Sequence, residues 1–292
     1  KCDYDKVAES WELSCHKDGP SVVADGEYKG LTLNEYIEKA GKGVLGKNCE
    51  RFENFPILIK LIDAKDNLSV QVHPDNDYAM RVEGEYGKTE MWYVVDCDEG
   101  ATLLYGFKHE ITKEEFARRI ADNTLLEVTN AVPVKKGDVF FIKSGTLHAI
   151  GKGILIAEIQ QNSNTTYRIY DYGRVGKDGK PRELHVNKAL DVTKLAPAEQ
   201  YPETPVEKKD GYDIKLLSKC EYFTTYRVNV ETKAELDADE NSFNSILVLE
   251  GEPVISGGET VSAKKGESVF ISAGTGKYTV EGKCTFVLTK ID

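Results

Sequence analysis

No apolar run in this sequence approaches the roughly 18 residues that a bilayer-crossing helix needs, so no membrane-spanning helix is expected. The opening residues Lys1-Cys2-Asp3-Tyr4-Asp5-Lys6 have no hydrophobic core and do not read as a signal peptide. They also lack an initiator Met, so the sequence reads as starting inside a longer chain. The cysteines Cys2, Cys15, Cys49, Cys97, Cys220 and Cys284 are scattered, with no CxxC pair. They read as reduced thiols of a cytoplasmic protein, not as a disulfide or zinc-finger framework. Basic residues are in deficit, 38 against 49 acidic, for a net charge of −11. That excludes a general nucleic-acid or membrane-surface role. It leaves room for an anionic small substrate, which needs only a local basic pocket.

What is present fits a globular chain. Its 292 residues allow one large domain or two ordinary ones, and 40% hydrophobic with 30% charged residues is a globular composition. One stretch organises the rest: Ser69-Val70-Gln71-Val72-His73-Pro74-Asp75. As a strand it points Gln71 and His73 to one face and Val70 and Val72 to the other. Pro74 has no N–H and ends the ladder. Asp75 reads as a turn residue. A second strand-like stretch, Lys88-Thr89-Glu90-Met91-Trp92, places Lys88, Glu90 and Trp92 on one face. A third, Gly137 to Ile150, reads as strand, glycine turn, strand, with His148 just past the turn. Two histidines, a glutamate and a glutamine form a plausible N/O donor set for zinc or another borderline divalent ion. Glutamine adds no charge, so one carboxylate leaves a divalent ion net positive, which suits polarising an oxygen-rich anionic substrate.

Elsewhere, Ser10–Ser14 and Ser21–Ala24 read as strands, Thr32-Leu33-Asn34-Glu35 as a capping box opening a helix that ends at Gly41, and Phe55–Ala64 as a buried strand interrupted by Lys60. Asp96–Gly100 reads as a hairpin turn with Ala101–Phe107 returning, and Thr112 opens a helix to about Ala121. Strands are expected from Leu125 through Phe141 and over Gly153–Gln160, a turn at Gly176–Gly179, a short helix near Val186–Leu195, and a linker over Ala196–Pro205. Beyond it, Tyr222–Val230, Ser245–Leu249, Val254–Ile255, Ser268–Ile271, Tyr278–Val280 and Thr285–Thr289 read as short strands of a β-sandwich or jelly roll. Lys135-Lys136-Gly137-Asp138 through Gly145-Thr146-Leu147-His148 recurs 129 residues later as Lys264-Lys265-Gly266-Glu267 through Gly274-Thr275-Gly276-Lys277. Two copies of one β-fold are implied, and only the first keeps the ligand, because Lys277 stands where His148 stood.

With these residues assembled, the chain resembles type I mannose-6-phosphate isomerases (phosphomannose isomerases) in their short bacterial form. The matching motifs are Leu68 through Asp75, Gly87-Lys88-Thr89-Glu90-Met91-Trp92 and Gly145-Thr146-Leu147-His148-Ala149. The resemblance covers most of the chain and is strongest over 58–106 and 135–174. It implies a mainly β protein of two cupin (jelly-roll) domains with a few short helices: a metal-binding catalytic cupin over 1–197, with a short helical insertion near 112–123, and a degenerate C-terminal cupin over 206–292. It implies one Zn2+ per chain, with Gln71, His73, Glu90 and His148 as ligands. Arg168 then corresponds to an active-site arginine and Lys88 to a lysine beside the metal, where a lowered pKa would let it serve proton transfer. Lys60, Ser69 and Arg174 fall where such enzymes bind the phosphate. A Trp-Gly-Gly motif that usually opens the family is absent, and the helical insertion of longer relatives is reduced to Thr112–Asn123.

The implied function is a cytoplasmic zinc-dependent aldose–ketose isomerase that interconverts mannose 6-phosphate and fructose 6-phosphate through a cis-enediol. Its partner is a small-molecule sugar phosphate, with no nucleic acid and no membrane, and a monomer is favoured. Two alternatives stand beside it: a non-catalytic sugar-phosphate-binding cupin, and an Fe(II) cupin oxygenase. His16, His109 and His185 read as surface or structural. The Tyr167, Tyr170 and Tyr172 cluster reads as core and pocket wall.

Overall fold

The computed structural model describes residues 7–176 and 179–292. Cys2 and the centre of the expected Gly176–Gly179 turn lie outside the described residues. The chain divides into two compact units, one of residues 1–10 and 61–201, the other of residues 11–60 and 202–292. Residues 11–60, which sequence order places with the first domain, cluster with the C-terminal segment. Among the described residues no helix is long and apolar enough to cross a membrane.

The helices are few and short: α1 Leu33–Ala40, α2 Asn76–Val82, α3 Lys113–Ala121 and α4 Val186–Val192. The capping box forms as expected, with Thr32 Oγ1 accepting the Glu35 N–H and Glu35 Oε2 accepting the Thr32 N–H at 2.7 Å. Asp75 is the N-cap of α2, its Oδ1 accepting the Tyr78 N–H at 2.9 Å.

Ten strands come first in the chain: β1 Glu9–Leu13, β2 Ile57–Ala64, β3 Val70–Val72, β4 Glu90–Cys97, β5 Thr102–Phe107, β6 Thr129–Pro133, β7 Val139–Ile142, β8 His148–Ala149, β9 Ile154–Gln161 and β10 Tyr167–Tyr170. They form two sheets, ordered β1-β2-β9-β4-β7 and β10-β3-β8-β5-β6. β4 and β5 lie in different sheets, so the expected hairpin at Asp96–Gly100 is a sheet-to-sheet crossing instead. Their short loop fits either topology; the pairing is decided by β9, which takes the β4 edge over eight residues. The stretch after α3 opens as a 3-10 turn, Leu125–Glu127, before β6 begins.

Alternation along β3 sorts its side chains as expected. Val70 and Val72 join the cluster of Phe107, Phe116, Leu147, Tyr167 and Ala189 that α3 and α4 cover. Phe116 is fully buried and meets Phe107 edge-on at 5.7 Å. Burying such a ring stabilises by about 1.5–3 kcal/mol. Gln71 therefore turns to the opposite side, the interior between the sheets, where Trp92, Val94, Leu103, Tyr105 and Ile156 pack.

The second unit adds β11 Val206–Lys209, β12 Tyr212–Lys219, β13 Thr224–Val230, β14 Lys233–Ala238, β15 Asn244–Gly251, β16 Val254–Gly257, β17 Glu259–Ser262, β18 Ser268–Ile271, β19 Gly276–Glu281 and β20 Cys284–Lys290. Their sheets run β11-β12-β13-β20-β15-β18 and β14-β19-β16-β17 around a core that includes Val228, Ile246, Val248, Tyr278 and Phe286. The repeat is reproduced bond for bond. Gly137 N–H donates to Val94 O and Gly266 N–H to Val248 O, each at 2.8 Å. Lys135 N–H donates to Asp138 Oδ2 at 2.9 Å, and Lys264 N–H to Glu267 Oε2 at 2.8 Å. Counting from this shared turn, Asn244 stands where Glu90 stands. Asn244 Nδ2 donates to the Tyr278 hydroxyl at 2.9 Å, a neutral core bond in place of a donor cluster.

Candidate metal centre

Three elements of the first unit converge on one point. β3 brings Gln71, which lies opposite His148 of β8, and Arg168 of β10 lies opposite Gln71. The chain leaves β3 at His73, whose carbonyl accepts the Gly145 N–H at 2.8 Å and fixes the turn leading to His148. β4, in the facing sheet, brings Glu90, with Trp92 two residues on and opposite Glu158 of β9. Gly87 permits the approach of this strand. A Cβ there would lie 2.4 Å from the Asp75 carbonyl carbon, so only glycine lets Lys88 and Glu90 run alongside His73.

His73, Glu90 and His148 are buried, and their donor atoms lie within 4.8 Å of one another. His148 Nε2 is 3.1 Å from His73 Nε2 and 3.4 Å from Glu90 Oε1; His73 Nε2 is 3.7 Å from Glu90 Oε2. The outer nitrogens settle the tautomers. His73 Nδ1 meets Thr165 O at 2.9 Å and His148 Nδ1 meets Thr146 O at 2.8 Å. A carbonyl only accepts, so both Nδ1 atoms carry the hydrogen and both Nε2 lone pairs point inward. Burial pushes the His148 imidazolium down to about 4, so its ring is neutral at neutral pH. Two neutral lone pairs facing at 3.1 Å repel unless a positive charge lies with them, a place that the Lys88 ammonium, 3.2 Å from His73 Nε2, or a divalent ion can fill. The Gln71 amide ends 3.4 Å from His148 Nε2 and can turn its oxygen to the same point. Two imidazole nitrogens, a carboxylate and an amide oxygen suit zinc. The residues fit a single divalent ion.

Lys88 is part of this cluster, but not as expected. Its Nζ is 2.5 Å from Glu90 Oε2, 3.2 Å from His73 Nε2 and 3.5 Å from Glu158 Oε1. Burial alone would lower its pKa, but Glu158 and Glu90 outweigh that, and the pKa rises. The expected lowering is reversed by a carboxylate that sequence reading passed over. Glu158 sits inside the apolar run Ile154-Leu155-Ile156-Ala157-Glu158-Ile159 and is 2% exposed, its Oε2 accepting Trp92 Nε1–H at 2.8 Å. A lone charge inside a buried strand was the available signal.

The remaining candidates fall at a second station. Arg168 Nε donates to Ser69 Oγ at 3.3 Å and its Nη1 to Glu183 O at 3.1 Å. Arg174 Nη1 donates to Asn67 O at 2.6 Å, and Arg174 pairs with Asp171. Lys60 belongs to the other unit, where its buried Nζ lies 4.6 Å from the Trp11 ring centroid. His16 is buried against Trp11, its Nδ1 accepting the Asp18 N–H; His185 Nδ1 accepts the Arg168 N–H; and His109 is exposed.

The fold and the donor set define a metal-binding cupin. Residues 2–100 match the type I phosphomannose isomerase catalytic domain, and residues 213–291 match the mannose-6-phosphate isomerase cupin domain. Mannose-6-phosphate isomerase ManA of Bacillus subtilis is 39% identical over 288 residues, 98% of this chain and 90% of that protein. The mannose-6-phosphate isomerase of Streptococcus mutans is 39% identical over 91% of this chain and 82% of that protein. The crystal structure of the Bacillus subtilis mannose 6-phosphate isomerase superposes with a TM-score of 0.90 at 38% identity, covering 97% of this chain and 89% of that one. This chain belongs to the type I mannose-6-phosphate isomerase family.

Proposed function

We propose that this protein is a zinc-dependent aldose–ketose isomerase that interconverts mannose 6-phosphate and fructose 6-phosphate. The observation that carries the reading is the buried convergence of His73, Glu90 and His148 with an ammonium, Lys88, and a second carboxylate, Glu158, beside them. Gln71, His73, Glu90 and His148 would hold the ion, and zinc there would supply Lewis-acid chemistry to the substrate.

The reaction moves one proton from C2 to C1. Removing it from C2 leaves an electron pair that forms the C1–C2 double bond of a cis-enediol, while the C1 carbonyl oxygen gains charge and takes up the proton that the C2 hydroxyl gives up as C2 becomes a carbonyl. Returning the proton to C1 regenerates a carbonyl at C2. Lys88, held charged by two carboxylates, serves as hydrogen-bond donor to the developing oxyanion. Glu158, oriented by Trp92, serves as the carboxylate that carries the proton. Arg168, anchored at Ser69, offsets charge at the reacting end. Ser69 and Arg174 are proposed phosphate contacts.

We read residues 1–197 as carrying the catalytic cupin and 206–292 as its degenerate copy; Asn244 and Lys277 at the ligand positions support that division. A cytoplasmic monomer that acts on a sugar phosphate, with no nucleic-acid or membrane partner, completes the reading. The test is a coupled isomerase assay across a panel of sugar phosphates. Turnover of mannose 6-phosphate, lost on chelation and restored by zinc, is expected. A zinc-loaded chain that turns over no sugar phosphate overturns the reading.

A further inference from the structure

Three guanidinium groups gather at the end of β10, and one of them was not singled out by sequence. Asp171, 6% exposed, receives Arg182 Nε at 2.8 Å and Arg182 Nη2 at 2.6 Å. The same carboxylate receives Arg174 through Nε at 3.2 Å and through Nη2. Arg168 is close enough that Arg182 and Arg174 both help to lower its pKa, after burial. Three positive groups and one negative leave this cluster at +2, in a chain whose net charge is −11.

The Asp171 carboxylate has lone pairs enough for both arginine forks, but its single negative charge neutralises only one of them. Holding a second guanidinium on the same carboxylate, with a third nearby, costs repulsion that an additional anion would remove. Arg182 also keeps donors to offer. Its side chain is 49% exposed, and among the described residues its Nη1 has no hydrogen-bond partner.

The spacing suits one ligand class. Asn67, Ser69 and Gln71 are alternate residues on the segment entering β3, and they mark Arg174, Arg168 and the metal donors in turn. Arg174 therefore meets this segment two residues before Arg168 does, on the side away from the metal donors.

We propose that Arg182, held beside Arg174 by Asp171, is a phosphate-binding residue of this enzyme, and that the paired guanidiniums select phosphorylated over unphosphorylated hexose. Asp171 is a positioning residue, orienting two forks toward one phosphomonoester. The inference rests on the isomerase reading for the identity of the sugar, but not for the existence of the anion site.

The test uses the zinc-loaded full chain and two probes, inorganic phosphate by calorimetry and mannose 6-phosphate by steady-state kinetics. Arg182→Gln is expected to weaken phosphate binding and raise KM by about 10- to 100-fold, the usual consequence of losing a charge-assisted hydrogen bond. The same variant should leave kcat within about threefold and zinc content unchanged. Arg182→Lys, which keeps the charge but not the fork, should recover part of the affinity. Arg119→Gln removes an equal charge on α3 and should change neither probe. Phosphate affinity and KM within about twofold of the parent in Arg182→Gln, or a kcat loss equal to the KM rise, overturn the proposal. Weakened phosphate binding in a protein whose parent form shows no isomerisation upholds the anion site and removes the isomerase reading instead.

Discussion

Replacing His148 by alanine removes one of three buried donors and leaves the rest of the cluster in place. The ring is fully buried, edge-on to Trp92 at 5.3 Å and 4.8 Å from the His73 ring. Its loss also removes the 3.1 Å opposition of two Nε2 lone pairs, so the metal-free protein is spared part of the usual cost of emptying a buried site. The metal-bound protein is not spared. Zinc at a hundredfold excess over its Kd stabilises the folded chain by about 2.7 kcal/mol. For a protein of this size that is a rise in Tm of about 5–10 °C. If losing a donor weakens binding about a thousandfold, more than the 10–100-fold cost of losing an outer-shell partner, the same zinc concentration contributes about 0.1 kcal/mol. The assay pairs metal analysis with thermal melts, with and without chelator, on parent, His148→Ala and Lys277→Ala. The parent and Lys277→Ala should carry one ion and show the zinc-dependent shift, and His148→Ala neither. A stoichiometric ion in His148→Ala, or a second ion that disappears in Lys277→Ala, refutes the reasoning.

Arg168→Ala should lower kcat by about 10²–10³ with a much smaller change in KM, since it removes a donor to charge that develops in the transition state; unchanged zinc content and Tm beside near-normal turnover would refute that role. The chelated protein should lose stability as pH falls. His148 is depressed to about 4, below the ordinary value near 6.5, so the unfolded chain takes up its proton first. Its contribution is complete above about pH 6.5, falls by about 3 kcal/mol on the way to pH 4, and then levels off. Urea melts of chelated parent and His148→Gln across that range should converge at low pH; parallel curves would refute the assignment.

The metal donors were legible because local spacing places them. Two residues apart on one strand, or just beyond a glycine turn, side-chain direction follows from backbone period alone. The same held for the Thr32 capping box and for the repeat, whose turns close on identical bonds. Glu158 was not legible in the same way. It lies in an apolar strand, and only the cross-strand register opposite Trp92 turns it toward Lys88. The Lys88 pKa was misjudged for that reason. Asp171 and Arg182 sit in a polar stretch with no period, and a carboxylate shared by two arginines eleven and three residues away leaves no pattern. The Asp96–Gly100 hairpin failed because a short loop reports proximity of its ends, not which edge each strand will pair. β11, β12, β14 and β17 went unread; β11 and β17 are exposed along their whole length and carry little hydrophobic signal.

The two compact units are not two consecutive lengths of chain. Residues 61–201 are inserted between the two parts of the other unit, 11–60 and 202–292. During synthesis, residues 11–60 leave the ribosome before residues 61–201 yet wait for the last strand, β20, before their unit is complete. At roughly 5–20 residues per second that delay is on the order of 10–50 s. The interrupting unit can fold in the meantime, while an unfinished apolar segment stands exposed upstream of it. Cutting at the linker near Tyr201 would not release a self-sufficient C-terminal domain, because the piece released lacks its first fifty residues of partner chain. The metal-binding unit can thus close while the other still waits for its C-terminal part.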